Sequence, residues 1–356
     1  MGYIDFDFFR GKRVFVTGHT GFKGAWLCRV LLNAGAIVTG YSLPAPTEPN
    51  LFSMADLENR MDSITGDIRS YEELKTAYAR ATPEIVLHLA AQPIVRTSYE
   101  EPVCTYETNV MGTVNLLECV RTSRAPAKSV VIITTDKVYE NKEWVWGYRE
   151  NEPLDGYDPY SNSKSCAELA VHSYVNSFFK NSATAVSTAR AGNVIGGGDF
   201  ARDRIIPDCI RAARAGEPVI VRNPYSTRPY QHVLEPIIAY LMIVQRQYDH
   251  PELAGWYNVG PDDCDCVTTG ALVDMFCQAW GDGMSWENQA EVNAPHEANF
   301  LKLDCTTIKT TFDWRPRWHI TEVIERTVNW TRIWLSGGDI PWAMEREIME
   351  YLEETL

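Results

Sequence analysis

A chain of 356 residues, 45% hydrophobic and 22% charged, can bury one large core or a large and a small one, which excludes disordered and fibrous classes. Its formal charge of −14 argues against a nucleic-acid surface or an anionic membrane, while leaving room for a local basic pocket. No apolar run reaches the roughly 18 residues of a membrane span, no signal-peptide pattern precedes the first strand, and the nine cysteines are scattered as reduced thiols are in the cytoplasm.

The first strand, Arg13 to Val16, runs into Gly18-His19-Thr20-Gly21-Phe22-Lys23-Gly24 and then an apolar helix. Glycines at 18, 21 and 24 between strand and helix allow a tight turn, close approach of a pyrophosphate to backbone N–H groups, and tight helix packing. A second strand, Ala36 to Tyr41, should end in an acid for an adenosine ribose, yet it ends in Ser42. That weakens the choice of NAD over NADP. Asp67, followed by Ile68, either accepts from an adenine amine or caps the helix beginning near Tyr71. The buried strand Glu84 to Leu89 gives out into Ala90-Ala91-Gln92, small enough at its start for a cofactor to pass close to the backbone.

Further on, Asn109 interrupts an apolar helical pattern and either ties down neighbouring backbone or faces solvent. The apolar strand Val130 to Ile133 changes abruptly to Thr134-Thr135-Asp136-Lys137, placing hydroxyl, carboxylate and amine where a buried parallel strand emerges. The aromatic-rich segment 141 to 159 suits a lid or wall rather than tight packing. It leads to Tyr160 and Lys164, one helical turn apart, so that the lysine can favour ionisation of a phenol whose ordinary pKa is ~10.

After the strand 184 to 190, regular strand–helix alternation weakens. Arg202, Arg204, Arg222, Arg228 and His296 are basic groups in loops of an acidic chain: candidates for an anionic ligand, or ordinary ion pairs. A helix spans 268 to 280, a polar linker 281 to 299, and a last helix 320 to 335. Cys264 and Cys266 are too close together for a zinc knuckle and have no partner pair, so no metal is expected.

Together, the glycine triad, Thr135-Asp136, Tyr160-x-x-x-Lys164 and the stretch 190 to 196 resemble the extended short-chain dehydrogenase/reductase family in its nucleotide-sugar branch, over nearly the whole chain. GHTGFKG at 18–24, TTDKVYEN at 134–141, the run from Trp144 to Lys164 and RPYQHVLEP at 228–236 are most similar to members that dehydrate CDP-D-glucose. The resemblance implies an α/β fold, a Rossmann-type doubly wound parallel sheet over 1–190 with a smaller mixed α/β C-terminal substrate-binding domain over 191–356, of which about 228–255 returns to the first. It implies a tightly held NAD and formation of a 4-keto-6-deoxy sugar, an early step toward the deoxysugars of surface polysaccharide such as lipopolysaccharide O-antigen.

By the same resemblance Tyr160 is the C4 base, Lys164 its partner, Thr135 a donor to the 4-oxygen and Asp136 the acid of elimination; Lys137 is either the C5 base or a charged clamp. Residues 18–24, Asp67, Ile68, Ala90, Ala91, Gln92, Asn109, Thr134, Tyr160 and Lys164 would line the cofactor, and Ser98, Asn193, Arg204, Arg228, Asn258 and His296 the substrate. The implied oligomer is a homodimer, or a homotetramer, joined through helices near 103–120 and 160–178, whose apolar stripes could equally pack on the sheet. A 4-epimerase or reductase of another nucleotide sugar would use Tyr160 and Lys164 but not the Asp136–Lys137 pair. A non-catalytic NAD-binding regulator has no need of either.

Overall fold

The computed structural model describes residues 4–289 and 300–353. In chain order the first lobe contributes β1 (Arg13–Thr17), α1 (Phe22–Asn33), β2 (Ile37–Ser42), β3 (Asp62–Thr65), α2 (Tyr71–Ala81), β4 (Ile85–His88), α3 (Gly112–Thr122), β5 (Ser129–Ile133), α4 (Pro159–Tyr174) and β6 (Ala185–Ala191). Then follow α5 (Ile205–Ala215), α6 (Leu234–Asp249), β7 (Trp256–Val259), α7 (Thr269–Trp280), α8 (Ile320–Leu335) and α9 (Ile340–Glu353).

Seven strands form one sheet in the order β7-β6-β5-β4-β1-β2-β3, with every neighbouring pair parallel. Strand order reverses next to β1, and the carboxyl ends there open a crevice for a ligand. Alternation along β1 divides the core: Val14 and Val16 pack on one face with Trp26, while Phe15 packs on the other with Tyr41 and Tyr78. The central strands β4 and β5 are buried throughout, which is why they read as continuous apolar runs rather than alternating ones.

Two features depart from expectation. The chain's return to the first sheet extends beyond 255, because β7 pairs with β6 from Trp256↔Thr188 to Val259↔Ala191. The short strand did not stand out beside the longer apolar run of α6. Second, the helix after 335 is clamped by a buried acid: Glu235 on α6 accepts from the backbone N–H groups of Arg317 and Trp318 at 2.9 Å each, and from the Tyr351 hydroxyl at 2.6 Å. Small antiparallel and parallel strand pairs, such as 227–229 with 266–268, complete the second lobe.

Candidate active site

The glycine turn is fixed by what surrounds it. Gly18 has φ +75°, and a Cβ there would lie 2.7 Å from the Ala90 nitrogen; at Gly24 it would lie 2.1 Å from the Gly18 carbonyl oxygen. α1 begins with Gly21 as N-cap and no side chain bonding its first N–H groups, leaving these donors for an anion. This cradle, which any side chain would fill, fits a dinucleotide pyrophosphate. Ser42, where a ribose acid was sought, shares a hydrogen bond with the Thr20 hydroxyl at 2.9 Å, and Thr20 also donates to the Leu43 carbonyl oxygen at 2.9 Å. His19 is buried against Gly40, its Nε2 2.7 Å from the Ser63 hydroxyl, and burial lowers its pKa to about 4.

Several residues expected at the cofactor also brace the fold around it. Asp67 is held by Arg69 through both carboxylate oxygens, at 2.6 to 3.1 Å, and accepts the Arg69 backbone N–H at 2.9 Å. Ile68 is buried where α3 begins, so close that a Cβ on Gly112 would meet it at 2.7 Å. Asn109 resolves toward tying down backbone: its oxygen accepts from Gln92 N at 2.8 Å, and its amide donates to Gln92 O at 3.1 Å and Ser163 Oγ at 2.8 Å. The Gln92 side chain bonds Ile94 and Thr105 in turn, and Ala90 N donates to Thr17 Oγ1 at 3.2 Å. Ala91 lies half-buried in that same turn.

The groups expected to do chemistry converge at the end of β5. Thr135 caps the short helical turn Asp136–Val138, its hydroxyl donating to Asp136 Oδ1 at 3.0 Å. Asp136 is buried, and its Oδ2 has no hydrogen-bond partner among the described residues and lies toward Gly192. Burial raises its pKa; the charges of Lys137 and Arg228 and the Thr135 hydroxyl oppose that shift. α4 presents Tyr160 and Lys164, started by Pro159 and by Asp158, which accepts from Ser161 N at 3.0 Å. Burial pushes the Tyr160 phenol up to about 12, with a hydrogen bond to Thr135 and the charge of Arg204 pulling it back. Lys164 donates to the Ile133 carbonyl oxygen at 3.2 Å, and burial takes it down to about 8.

Lys23 also reaches this centre from α1. Its amine lies 3.4 Å from the Tyr240 hydroxyl on α6, and burial, then the charges of Arg204 and Lys164, lower it to about 7. Arg204, the N-cap of α5, is paired with Asp199 at 3.0 Å, and Arg228 is buried on the strand 227–229. Asn193 is half-buried beside them, its carbonyl oxygen accepting from Gln231 N at 3.0 Å. Ser98 is buried and donates to the Val95 carbonyl oxygen at 2.6 Å. Arg222 is engaged in ion pairs with Asp203 and Asp208. His296 lies outside the described residues.

Asn258, expected on the substrate side, makes its hydrogen bonds within the protein. It is fully buried, accepts from the Tyr139 hydroxyl at 2.6 Å, and donates to the carbonyl oxygens of Tyr148 at 2.8 Å and Asp304 at 3.1 Å, so its carboxamide is spent inside the protein. It belongs to a network that sequence reading missed. Arg190 Nη1 donates to Tyr139 at 2.9 Å and Nη2 to Glu168 at 2.9 Å, while Glu168 also accepts from Thr134 at 2.5 Å and Thr188 at 2.8 Å. Burial would raise the Glu168 carboxyl, yet the Arg190 charge and these hydrogen bonds take it down to about 2. Thr134 therefore serves this network. Part of segment 141–159 is likewise tightly packed: Tyr148 stacks on Tyr139 at 5.2 Å and its N–H donates to Lys302 O at 2.9 Å, while Val145 and Trp146 stay exposed. Arg190 at the end of an apolar strand and Glu168 in an apolar helix face were the signals for a buried pair. Cys264, Asp265 and His319 gather within 4.8 Å, but Asp265 pairs with His319 at 2.9 Å and accepts Ile320 N at 2.9 Å, the work of a helix cap.

Comparison with known proteins agrees with this architecture. The family model described as GDP-mannose 4,6 dehydratase matches residues 15–327. CDP-glucose 4,6-dehydratase of Salmonella typhimurium is 52% identical over 99% of this chain and 99% of its own length. A dTDP-glucose 4,6-dehydratase of Xanthomonas campestris pv. campestris is 27% identical over 90% of this chain and 94% of its own. The crystal structure of Thermus thermophilus UDP-glucose 4-epimerase complexed with NAD superposes with a TM-score of 0.77 at 26% identity, covering 90% of this chain and 99% of that one. From residue 15 to residue 327, and on beyond through its likeness to the Salmonella protein, the chain belongs to the GDP-mannose 4,6-dehydratase family, on its CDP-glucose 4,6-dehydratase branch.

Proposed function

We propose that the chain is an NAD-dependent CDP-D-glucose 4,6-dehydratase, converting CDP-D-glucose to CDP-4-keto-6-deoxy-D-glucose and water. The glycine cradle would hold NAD, which would supply a hydride acceptor at C4 and a hydride donor at C6. The residues of the chain supply the proton transfers. Tyr160 takes the proton of the 4-hydroxyl, with Lys164 favouring the phenolate and Thr135, its hydroxyl proton turned from Asp136 to the substrate, donating to the oxygen on which charge develops. With C4 a ketone, the C5 proton is acidified. Asp136 protonates the departing 6-hydroxyl while a base takes the C5 proton; Lys137, next in sequence on the same turn, is that base and gives a proton back to C5 as hydride reaches C6. Arg204, Arg228 and Asn193 hold the diphosphate and sugar, with Ser98 and His296 on the hexose and nucleotide.

The observation that carries this reading is the buried Asp136, its Oδ2 lying toward Gly192 without a hydrogen-bond partner among the described residues and its protonated form favoured by burial. An epimerase or reductase has no use for such an acid. Purified protein is incubated with CDP-, UDP- and dTDP-D-glucose, with and without added NAD, and product mass and alkaline absorbance are read. Loss of one water from the CDP sugar alone is expected; a product of unchanged mass would refute dehydration.

In this reading two copies associate through the helical face around α4. Val103 and Met111 are exposed there beside Pro102, Tyr106, Val110 and Cys166, an apolar surface that a second copy would bury. Sedimentation distinguishes dimer from tetramer. No helix of the described residues is long and apolar enough to cross a membrane. All nine cysteines are free thiols, which supports a reducing, cytoplasmic setting.

A further inference from the structure

We infer that His88 is a positioning residue for the reaction: a neutral imidazole protonated on Nε2 that holds the cofactor cradle and the Tyr160–Lys164 helix in register. This rests on the NAD-dependent reading above, since cradle alignment matters only when a dinucleotide lies in it. His88 ends β4 and stands opposite Thr17, the last residue of β1 before Gly18. Both side chains are buried, with Thr17 Oγ1 2.7 Å from His88 Nδ1, and Nε2 of the same ring 3.0 Å from Thr113 Oγ1.

Proton accounting fixes the tautomer. Thr113 donates its only hydroxyl proton to the Asn109 carbonyl oxygen at 2.7 Å, so toward His88 it can only accept. Nε2 therefore carries a proton. At the other end the Ala90 N–H donates to Thr17 Oγ1, so the Thr17 proton is free to go to an unprotonated Nδ1. Hydrogen bonds then run in one direction, from Ala90 N–H through Thr17, His88 and Thr113 to Asn109 O, with every donor and acceptor matched. An imidazolium would turn a second N–H against Thr17 and strand the threonine proton. Burial and the Lys164 charge also oppose that form, lowering the pKa to about 3.

Both ends of the chain of bonds touch the site. Thr17 adjoins Gly18, pressed against Ala90 so closely that a Cβ would not fit. Asn109 grips the Gln92 backbone and Ser163, and Ser163 donates to the Tyr160 carbonyl oxygen at 2.7 Å. His88 is thus the rigid link between the two walls of the pocket.

Two measurements test this, the first on the NAD-loaded protein and the second on protein freed of NAD. In spectra with ¹⁵N-labelled histidine, one ring, absent from His88→Gln, should stay in the Nε2–H form between about pH 5 and 8. A titrating His88, or one protonated on Nδ1, would overturn the inference. In NAD binding followed by tryptophan fluorescence, Thr17→Val and Thr113→Val should each weaken affinity about tenfold. The double variant should lose little more than either alone, because both act through one ring, whereas independent losses multiplying to about a hundredfold would refute it. His88→Gln, which keeps a donor and an acceptor on one planar group, should recover most of the affinity lost in His88→Leu; if His88→Leu does not fold, the threonine cycle still decides. NAD binding needs no sugar, so failure to dehydrate CDP-D-glucose would sink the functional reading without touching this result.

Discussion

Replacing Asp136 by Asn separates the two halves of the reaction. Asp136 is 1% exposed, Oδ1 is bonded to Thr135 and Oδ2 has no hydrogen-bond partner among the described residues. Asn keeps the volume and the Thr135 contact but cannot give up a proton to a leaving hydroxyl. Oxidation at C4 uses Tyr160, so the stopped-flow appearance of reduced nicotinamide should stay within about threefold of wild type. Steady-state turnover should fall by ~10²–10⁴, the ordinary contribution of a positioned acid. Stability gives an independent control. Burial raises the folded pKa of Asp136 above its ordinary value, so its contribution favours folding below that ordinary value and is lost as pH rises through the folded pKa. At neutral pH the Asn variant should be at least as stable as wild type, and lost turnover cannot then be unfolding. Turnover within tenfold of wild type, or oxidation and turnover falling together, would refute the assignment.

Lys137→Met should abolish exchange of the C5 proton with solvent after C4 oxidation; exchange at an unchanged rate and pH profile would make Lys137 a clamp rather than the base. Gly24→Ala puts a Cβ against the Gly18 carbonyl and the His19 Cα, backbone that cannot rotate away, so α1 must shift. We expect ~1–3 kcal/mol lost in denaturant unfolding and NAD affinity weakened at least about tenfold. Glu168→Gln leaves Arg190 buried without its partner and should cost ~3–5 kcal/mol at neutral pH. Because Glu168 falls from 4.5 to about 2 in the folded protein, its stabilisation is complete above the higher value and lost as pH drops through the lower. Melting temperatures of variant and wild type should therefore converge in acid. Asn258→Leu should cost ~1–3 kcal/mol in stability while leaving KM for CDP-D-glucose unchanged in the folded fraction, and a large KM effect would return Asn258 to the substrate side.

What the sequence disclosed, and what it hid, follows from the range of the interactions. The glycine turn, Thr135-Asp136 and Tyr160-x-x-x-Lys164 are legible because their geometry is local: a strand end, a cap, one helical turn. Asn109, Asn258, Thr134 and Asp67 carry the right chemistry for ligands, yet their hydrogen bonds go to partners such as Ser163, Tyr139, Glu168 and Arg69. Apart from Asp67–Arg69, those partners are remote in sequence, and no spacing rule pairs them. The strand Trp256–Val259 was hidden for a related reason: only its pairing with β6 makes it the seventh strand.

The same logic explains how an acidic chain maintains a cationic pocket. Lys23, Lys164 and Arg204 arrive from three elements on different sides of the crevice, and their mutual repulsion helps to bring Lys23 down to about 7. Crowding these cations is costly for the protein alone and becomes favourable beside pyrophosphates, whose charge each can offset. The buried Asp136 sits within that field and raises the Lys23 pKa in return. The carboxyl is therefore caught between two opposing influences: burial favours its protonated form, and neighbouring cations ease the proton's departure. A group that must give a proton to a leaving hydroxyl and recover it in the next turnover needs both, and the surrounding cations supply the second without a further side chain of the right type beside it in sequence.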